Sequence, residues 1–187
     1  AEFSLAEGDW PEVVLPGDAS RLRQVVTNIV GNIHRYTPAD SPVEISMGVL
    51  PASISPESLS RMPANERSMH HLVEAIEVGQ SMQVGMNYAI VRFSDHGPGV
   101  PPEARSKIFE RFYTADPSRA RQKGGTGLGM AIAQSVVKAH HGFICASGSE
   151  GGGLTLTVVL PVAPVEPRPV PEAETRKADK KGRKTKK

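Results

Sequence analysis

The stretch that most restricts the fold is QKGGTGLGMAIAQSVVKAHHG, residues 122–142. Gly124, Gly125, Gly127 and Gly129 fall within six positions, and a run with helical apolar spacing (Ile132, Val136, Val137) follows at once. A helix start presents unpaired N–H groups and a partial positive charge. Glycine lets that backbone come close to an anion. The stretch therefore reads either as a phosphate cradle or as a flexible loop ahead of a helix. Two common phosphate loops are excluded. No G-x-x-x-x-G-K-[ST] occurs, and the polar, basic segment 118–123 stands where the dinucleotide fingerprint needs a strand.

The chain of 187 residues is long enough for one domain with a core. Its formal charge of +2 is unevenly spread: residues 161–187 carry nine Lys/Arg against four Asp/Glu, so the body is mildly acidic. A basic body surface for nucleic acid is not indicated. The single cysteine, Cys145, lies in an apolar run and fits a buried thiol. No stretch reaches the length of a membrane span, and no signal peptide is visible. The opening Ala1-Glu2-Phe3 lacks an initiator Met and reads as a cloning remnant or a processed start.

The pattern predicts a short strand at 13–15, then a helix capped by Asp18 or Ser20 and running to Tyr36, with Leu22, Val25, Val26, Ile29, Val30 and Ile33 as its apolar stripe. Strands follow at 43–50, 71–78 and 87–94, the last two as a hairpin, after a Ser/Pro-rich loop at 51–68. A short helix is expected at 103–112, a polar linker at 113–123, a helix at 128–139, and strands at 143–147 and 154–160. Residues 1–160 would form one domain, with an insertion at 51–86. Residues 161–187, Pro-rich and then basic, read as a disordered tail. This order suggests an α/β sandwich with helices on one face of a sheet.

Three further motifs bear on function. Asn28 and Asn32 are four apart on one helix face, with Arg21, Gln24 and Arg35 extending a polar stripe. Asn is a poor mid-helix residue, and its amide oxygen suits Mg²⁺; a solvated face is the plain alternative. Asp95-His96-Gly97-Pro98-Gly99 follows a strand, where a carboxylate can accept from a ligand amino group and the glycines admit a flat base; an ordinary turn would look similar. Phe109-Glu110-Arg111-Phe112-Tyr113 can anchor a mobile segment, and its phenylalanines also suit a core.

Taken in order, Asn28-x-x-x-Asn32-x-x-Arg35-Tyr36-Thr37, Asp95-x-Gly97-x-Gly99, 109–112 and Gly125-x-Gly127-x-Gly129 resemble the N, G1, F and G2 boxes of the ATP-binding catalytic domain of sensor histidine kinases. The resemblance covers about residues 13–161. It implies a Bergerat-type two-layer α/β sandwich, a mixed sheet of about five strands covered on one face by three helices. It implies ATP and Mg²⁺ as cofactors, with Asn32 as the metal ligand and Asn28, Arg35 and Tyr36 near the phosphates and base. Asp95 would accept from the adenine amino group, with Gly97 and Gly99 admitting the base. Residues 113–123 would be a lid, with Arg119, Arg121 or Lys123 reaching phosphate. Gly125, Thr126, Gly127, Leu128 and Gly129 would hold the triphosphate. Asn28, Asn32 and Arg35 would serve catalysis. The sequence departs from the family in Ile33, in place of a small Ala, in the insertion at 51–85, and in the basic tail. That tail suits a solubilising role, or contact with acidic lipid or a partner.

None of the six histidines, His34, His70, His71, His96, His140 and His141, is followed by Asp or Glu, as the family's phosphoacceptor is. The chain is therefore expected to bind ATP without phosphorylating itself. The resemblance implies a target His on a separate dimerisation domain, relay to a response regulator, a monomeric fragment of a homodimer, and a cytoplasmic position in a membrane-anchored protein. The gyrase and chaperone ATPases of the wider superfamily carry a general-base Glu where this chain has Asn28, an amide that cannot take a proton from water. An anti-sigma serine kinase or a degenerate scaffold is the remaining alternative.

Overall fold

The computed structural model describes residues 2–5, 13–50, 86–114, 125–149 and 151–162. Asp18 begins the long helix α1 (Ala19–Tyr36): its carboxylate accepts from the N–H groups of Ser20 at 2.8 Å and Arg21 at 3.1 Å. Val25, Ile29 and Ile33 recur at helical spacing and are buried. The helix stops where Thr37 turns extended ahead of Pro38, with the Thr37 N–H donating to the Ile33 carbonyl.

Among the described residues, five strands form one sheet: β1 (Glu2–Leu5), β2 (Pro42–Leu50), β3 (Asn87–Asp95), β4 (Phe143–Gly148) and β5 (Leu154–Val162), in the order β1-β2-β3-β5-β4. β1 and β2 are parallel and the other pairs antiparallel, so the sheet is mixed. The helix α2 (Gly129–Ala139) packs beside α1, and together they lie on one sheet face. Ile29, Ile33, Ala133 and Val137 meet Val43, Phe93, Leu156 and Val158 there. Fully burying one such aliphatic side chain stabilises the fold by about 1.5–3 kcal/mol. This is the expected two-layer α/β sandwich. No helix among the described residues is long and apolar enough to cross a membrane.

Several local expectations change. Residues 13–16 form no strand; the sheet edge beside β2 is taken by Glu2–Leu5. The helix expected at 103–112 is two 3₁₀ turns, Pro102–Ala104 and Lys107–Phe109. Glu110 turns extended and Phe112 takes φ +65°, which halts helical propagation. β3 is paired along both edges, with β2 and with β5; the strand expected at 71–78, and with it the hairpin, lies outside the described residues. β5 continues to Val162, past the expected boundary at 160, and residues 163–187 also lie outside the described part.

Candidate functional site

α1, the end of β3 and the start of α2 enclose a cavity of about 720 Å³. On α1, Asn28, Asn32 and Arg35 sit one residue out of phase with the core stripe, so the packing that buries Ile29 and Ile33 turns them toward the cavity wall. Tyr36 joins them at the end of the helix.

Asp95 is the last residue of β3 and lies at the cavity's inner wall, 7% exposed. One carboxylate oxygen, Oδ1, accepts from the N–H of Gly97 at 2.8 Å and from the N–H of Leu154 at 3.3 Å. Burial pushes its pKa up, and those two donors, His96 and Thr37 oppose the rise. Gly97 stands behind the wall, where a Cβ would lie 3.0 Å from Asp95 Oδ1 and 3.4 Å from the Thr37 Cα. Gly99 has φ +70°, and a Cβ there would meet the Gly153 carbonyl oxygen at 2.9 Å.

The glycine run closes the cavity's other side. Thr126, Gly127, Leu128 and Gly129 all line it. Gly125 lies just behind, with Tyr36 Oη 3.0 Å from where its Cβ would be. At the start of α2 the N-cap residue is Leu128, and no side chain caps the first turn. Its leading N–H groups sit at the cavity edge with no capping side chain among the described residues, an arrangement that favours an anion. Asn28 faces this terminus: its Oδ1 is 3.8 Å from the Cβ position of Gly129. Its amide Nδ2 is buried and has no hydrogen-bond partner, a costly arrangement unless a ligand supplies an acceptor.

The predicted residues are thus brought together, apart from Arg119, Arg121 and Lys123, which lie outside the described residues. Among the described residues, no cluster of three or more His, Cys, Asp or Glu could hold a metal. A cation here would have to be met by amide oxygens and by ligand phosphates, which suits Mg²⁺ rather than zinc. His34 and His96 do not line the cavity, and His96 Nε2 is 3.7 Å from Glu44 Oε1. His140 is structural: its Nδ1–H donates to the Val136 carbonyl at 2.8 Å, and its Nε2 accepts from the Asp18 N–H at 3.0 Å.

Sequence reasoning missed Gly153 and the cavity's apolar walls. Gly153, at φ +101°, packs directly on the Asp95 carbonyl and supports Gly99. Three successive glycines with positive φ, Gly151 to Gly153, were the available signal. Val100, Ile108, Met130 and Leu154 give the cavity an apolar lining suited to a flat base.

Among known proteins, the "Probable sensor histidine kinase TcrY" of Mycobacterium tuberculosis (strain ATCC 25618 / H37Rv) is 37% identical over 139 residues, 74% of this chain and 22% of that protein. The signal transduction histidine-protein kinase BaeS of Escherichia coli (strain K12) is 31% identical over 161 residues, 86% of this chain and 26% of that protein. The chain therefore spans about a quarter of these relatives' length. The structure of the mycobacterial sensor histidine kinase MprB superposes with a TM-score of 0.58 at 24% identity, covering 87% of this chain and 83% of that one. That of ShkA in complex with AMPPNP gives 0.56 at 23%, covering 87% and 25%. These two likenesses show the fold. Residues 17–164 match the family's pattern, and the chain belongs to the histidine kinase-, DNA gyrase B- and HSP90-like ATPases.

Proposed function

We propose that this chain is the ATP-binding catalytic module of a two-component sensor histidine kinase. It would direct the γ-phosphoryl group of ATP to a His on a separate dimerisation domain, for relay to a response regulator. The observation that carries this reading is the pairing of a buried acceptor, Asp95, at one wall with an uncapped helix start and the partnerless Asn28 amide at the other. Adenine has an amino donor for Asp95, and the triphosphate has acceptors for the α2 terminus and for Asn28.

In this assignment Asp95 selects the base, with Gly97 and Gly99 keeping side chains out of its way. Gly125, Thr126, Gly127, Leu128 and Gly129 hold the phosphates, and Tyr36 borders the base and lid. Asn32 offers its amide oxygen to Mg²⁺, which would neutralise phosphate charge during transfer. Asn28 and Arg35 orient the reacting phosphate. Arg119, Arg121 and Lys123 belong to this proposal on the resemblance alone. Asn28 also favours transfer to a His over hydrolysis, because it cannot act as a general base toward water. Residues 1–160 would act as this module within a longer, membrane-anchored dimer whose catalytic part faces the cytoplasm.

The test supplies the purified chain with γ-labelled ATP, Mg²⁺ and the separately produced His-bearing hairpin of the full-length protein. Acid-labile phospho-histidine on the hairpin, lost with Asp95→Asn, is the expected result. Steady phosphate release to water with no phospho-histidine would move the assignment to the gyrase and chaperone type.

A further inference from the structure

Arg105 stands beside the cavity without lining it. It closes the 3₁₀ turn Pro102–Ala104, where its N–H donates to the Pro102 carbonyl at 3.3 Å. From that turn its side chain reaches two places at once. Its Nε–H donates to the Val100 carbonyl at 3.2 Å. Its Nη2 lies 2.7 Å from where a Cβ on Gly148, the last residue of β4, would stand. The guanidinium thus bridges the loop after Asp95 and the end of β4, and it fits because residue 148 has no side chain.

Both ends of the bridge bear on the cavity. Pro98, Gly99, Val100 and Pro101 line one wall. Pro98 and Pro101 carry no N–H, so this stretch depends on outside donors that reach its carbonyls. The end of β4 gives the bridge a firm footing. Thr155 Oγ1 lies 2.9 Å from both Ser94 Oγ and Ser149 Oγ, which ties the turn after β4 to β3 directly before Asp95. Arginine suits this place because its planar fork donates from Nε while the rest of the group lies over a glycine. Lysine, a single point charge on a flexible stem, cannot do both.

We propose that Arg105 is a positioning residue for the nucleotide base: by holding the Val100 carbonyl to the end of β4, it fixes the wall formed by residues 98–101, against which the base lies. This rests on the ATP reading of the cavity. The phosphates are assigned to the opposite side, at residues 125–129, so the bridge acts on affinity and leaves phosphoryl transfer itself untouched.

The experiment titrates the unmodified chain, Arg105→Ala, Arg105→Lys and Gly148→Ala with ATP by calorimetry, and times phosphotransfer to the His-bearing hairpin at saturating ATP. ATP affinity should fall about tenfold in both Arg105 variants, the worth of one hydrogen bond. It should fall by a smaller factor in Gly148→Ala, whose added Cβ displaces the guanidinium from outside the cavity. Binding stoichiometry and the rate at saturating ATP should not change. A reduced stoichiometry at unchanged affinity, a saturating rate that falls as far as the affinity, or full rescue by lysine would mark a general structural role and overturn the proposal. Should Arg105→Ala fail to fold, Arg105→Lys and Gly148→Ala decide by the same readouts. ATP binding by the unmodified chain that none of the variants alters would overturn this inference alone. A folded, unmodified chain that binds no ATP would overturn the ATP reading and this inference with it.

Discussion

The Phe112 N–H donates to the Gly127 carbonyl at 2.9 Å, tying the aromatic run to the glycine run. Both residues hold positive φ, +65° at Phe112 and +67° at Gly127. A Cβ on Gly127 would lie 2.7 Å from the Phe112 carbonyl carbon. The stem that starts and ends the proposed lid is therefore built around one position that admits only glycine.

Gly127→Ala should break this stem. The left-handed backbone and the clash together should lower stability by roughly 1–3 kcal/mol. Nucleotide affinity should fall with it, because Gly127 also lines the cavity. Thermal unfolding and a binding titration on the same variant check both effects.

Asp95→Asn should separate stability from binding. Burial raises the Asp95 pKa above the ordinary 3.8. The folded state therefore keeps its proton to higher pH than the unfolded chain does. Stability from this group is present below the unfolded value and is lost as pH rises through the folded one. At neutral pH the ionised carboxylate thus opposes folding. An amide removes that penalty and still accepts from Gly97 and Leu154, so the variant should melt higher at pH 7, with the gain fading below the ordinary carboxylate pKa. ATP affinity should drop roughly 10–100-fold, the worth of one hydrogen bond to a charged group.

Asn32→Ala and Asn28→Ala should differ in what they disturb. Asn32→Ala should abolish the effect of Mg²⁺ on nucleotide binding. Asn28→Ala removes a buried amide that has no partner, so stability should change by less than about 1 kcal/mol. Phospho-histidine formation should nonetheless fall about 100-fold. Unfolding curves with single-turnover phosphotransfer distinguish the two.

Ile29→Ala tests the platform that aims the α1 amides. Ile29 is fully buried between the helices and the sheet. Truncation should cost about 2–5 kcal/mol, measurable by denaturant unfolding.

Much of this was legible in the sequence because local rules and global packing agree. α1 was readable from Asp18, its apolar stripe and Thr37-Pro38, and the later strands from dense β-branched runs. The four motifs placed Asn28, Asn32, Asp95 and the 125–129 run around one cavity before any geometry was known. What escaped was non-local. Whether Glu2–Leu5 or 13–15 pairs with β2 depends on sheet geometry, which four apolar-alternating residues cannot announce. The turns at 102–109 escaped because a left-handed Phe112 cuts short a helical pattern. Gly153 escaped because its role, pressing on Asp95 and Gly99, links two loops far apart in the chain.

The most direct test of the account is a calorimetric titration of the chain with ATP, with and without Mg²⁺, beside Asp95→Asn. The account predicts micromolar-range binding that Mg²⁺ alters and Asp95→Asn weakens. A folded chain that binds no ATP, or binds it equally well without the Asp95 carboxylate, would contradict the assignment of this cavity.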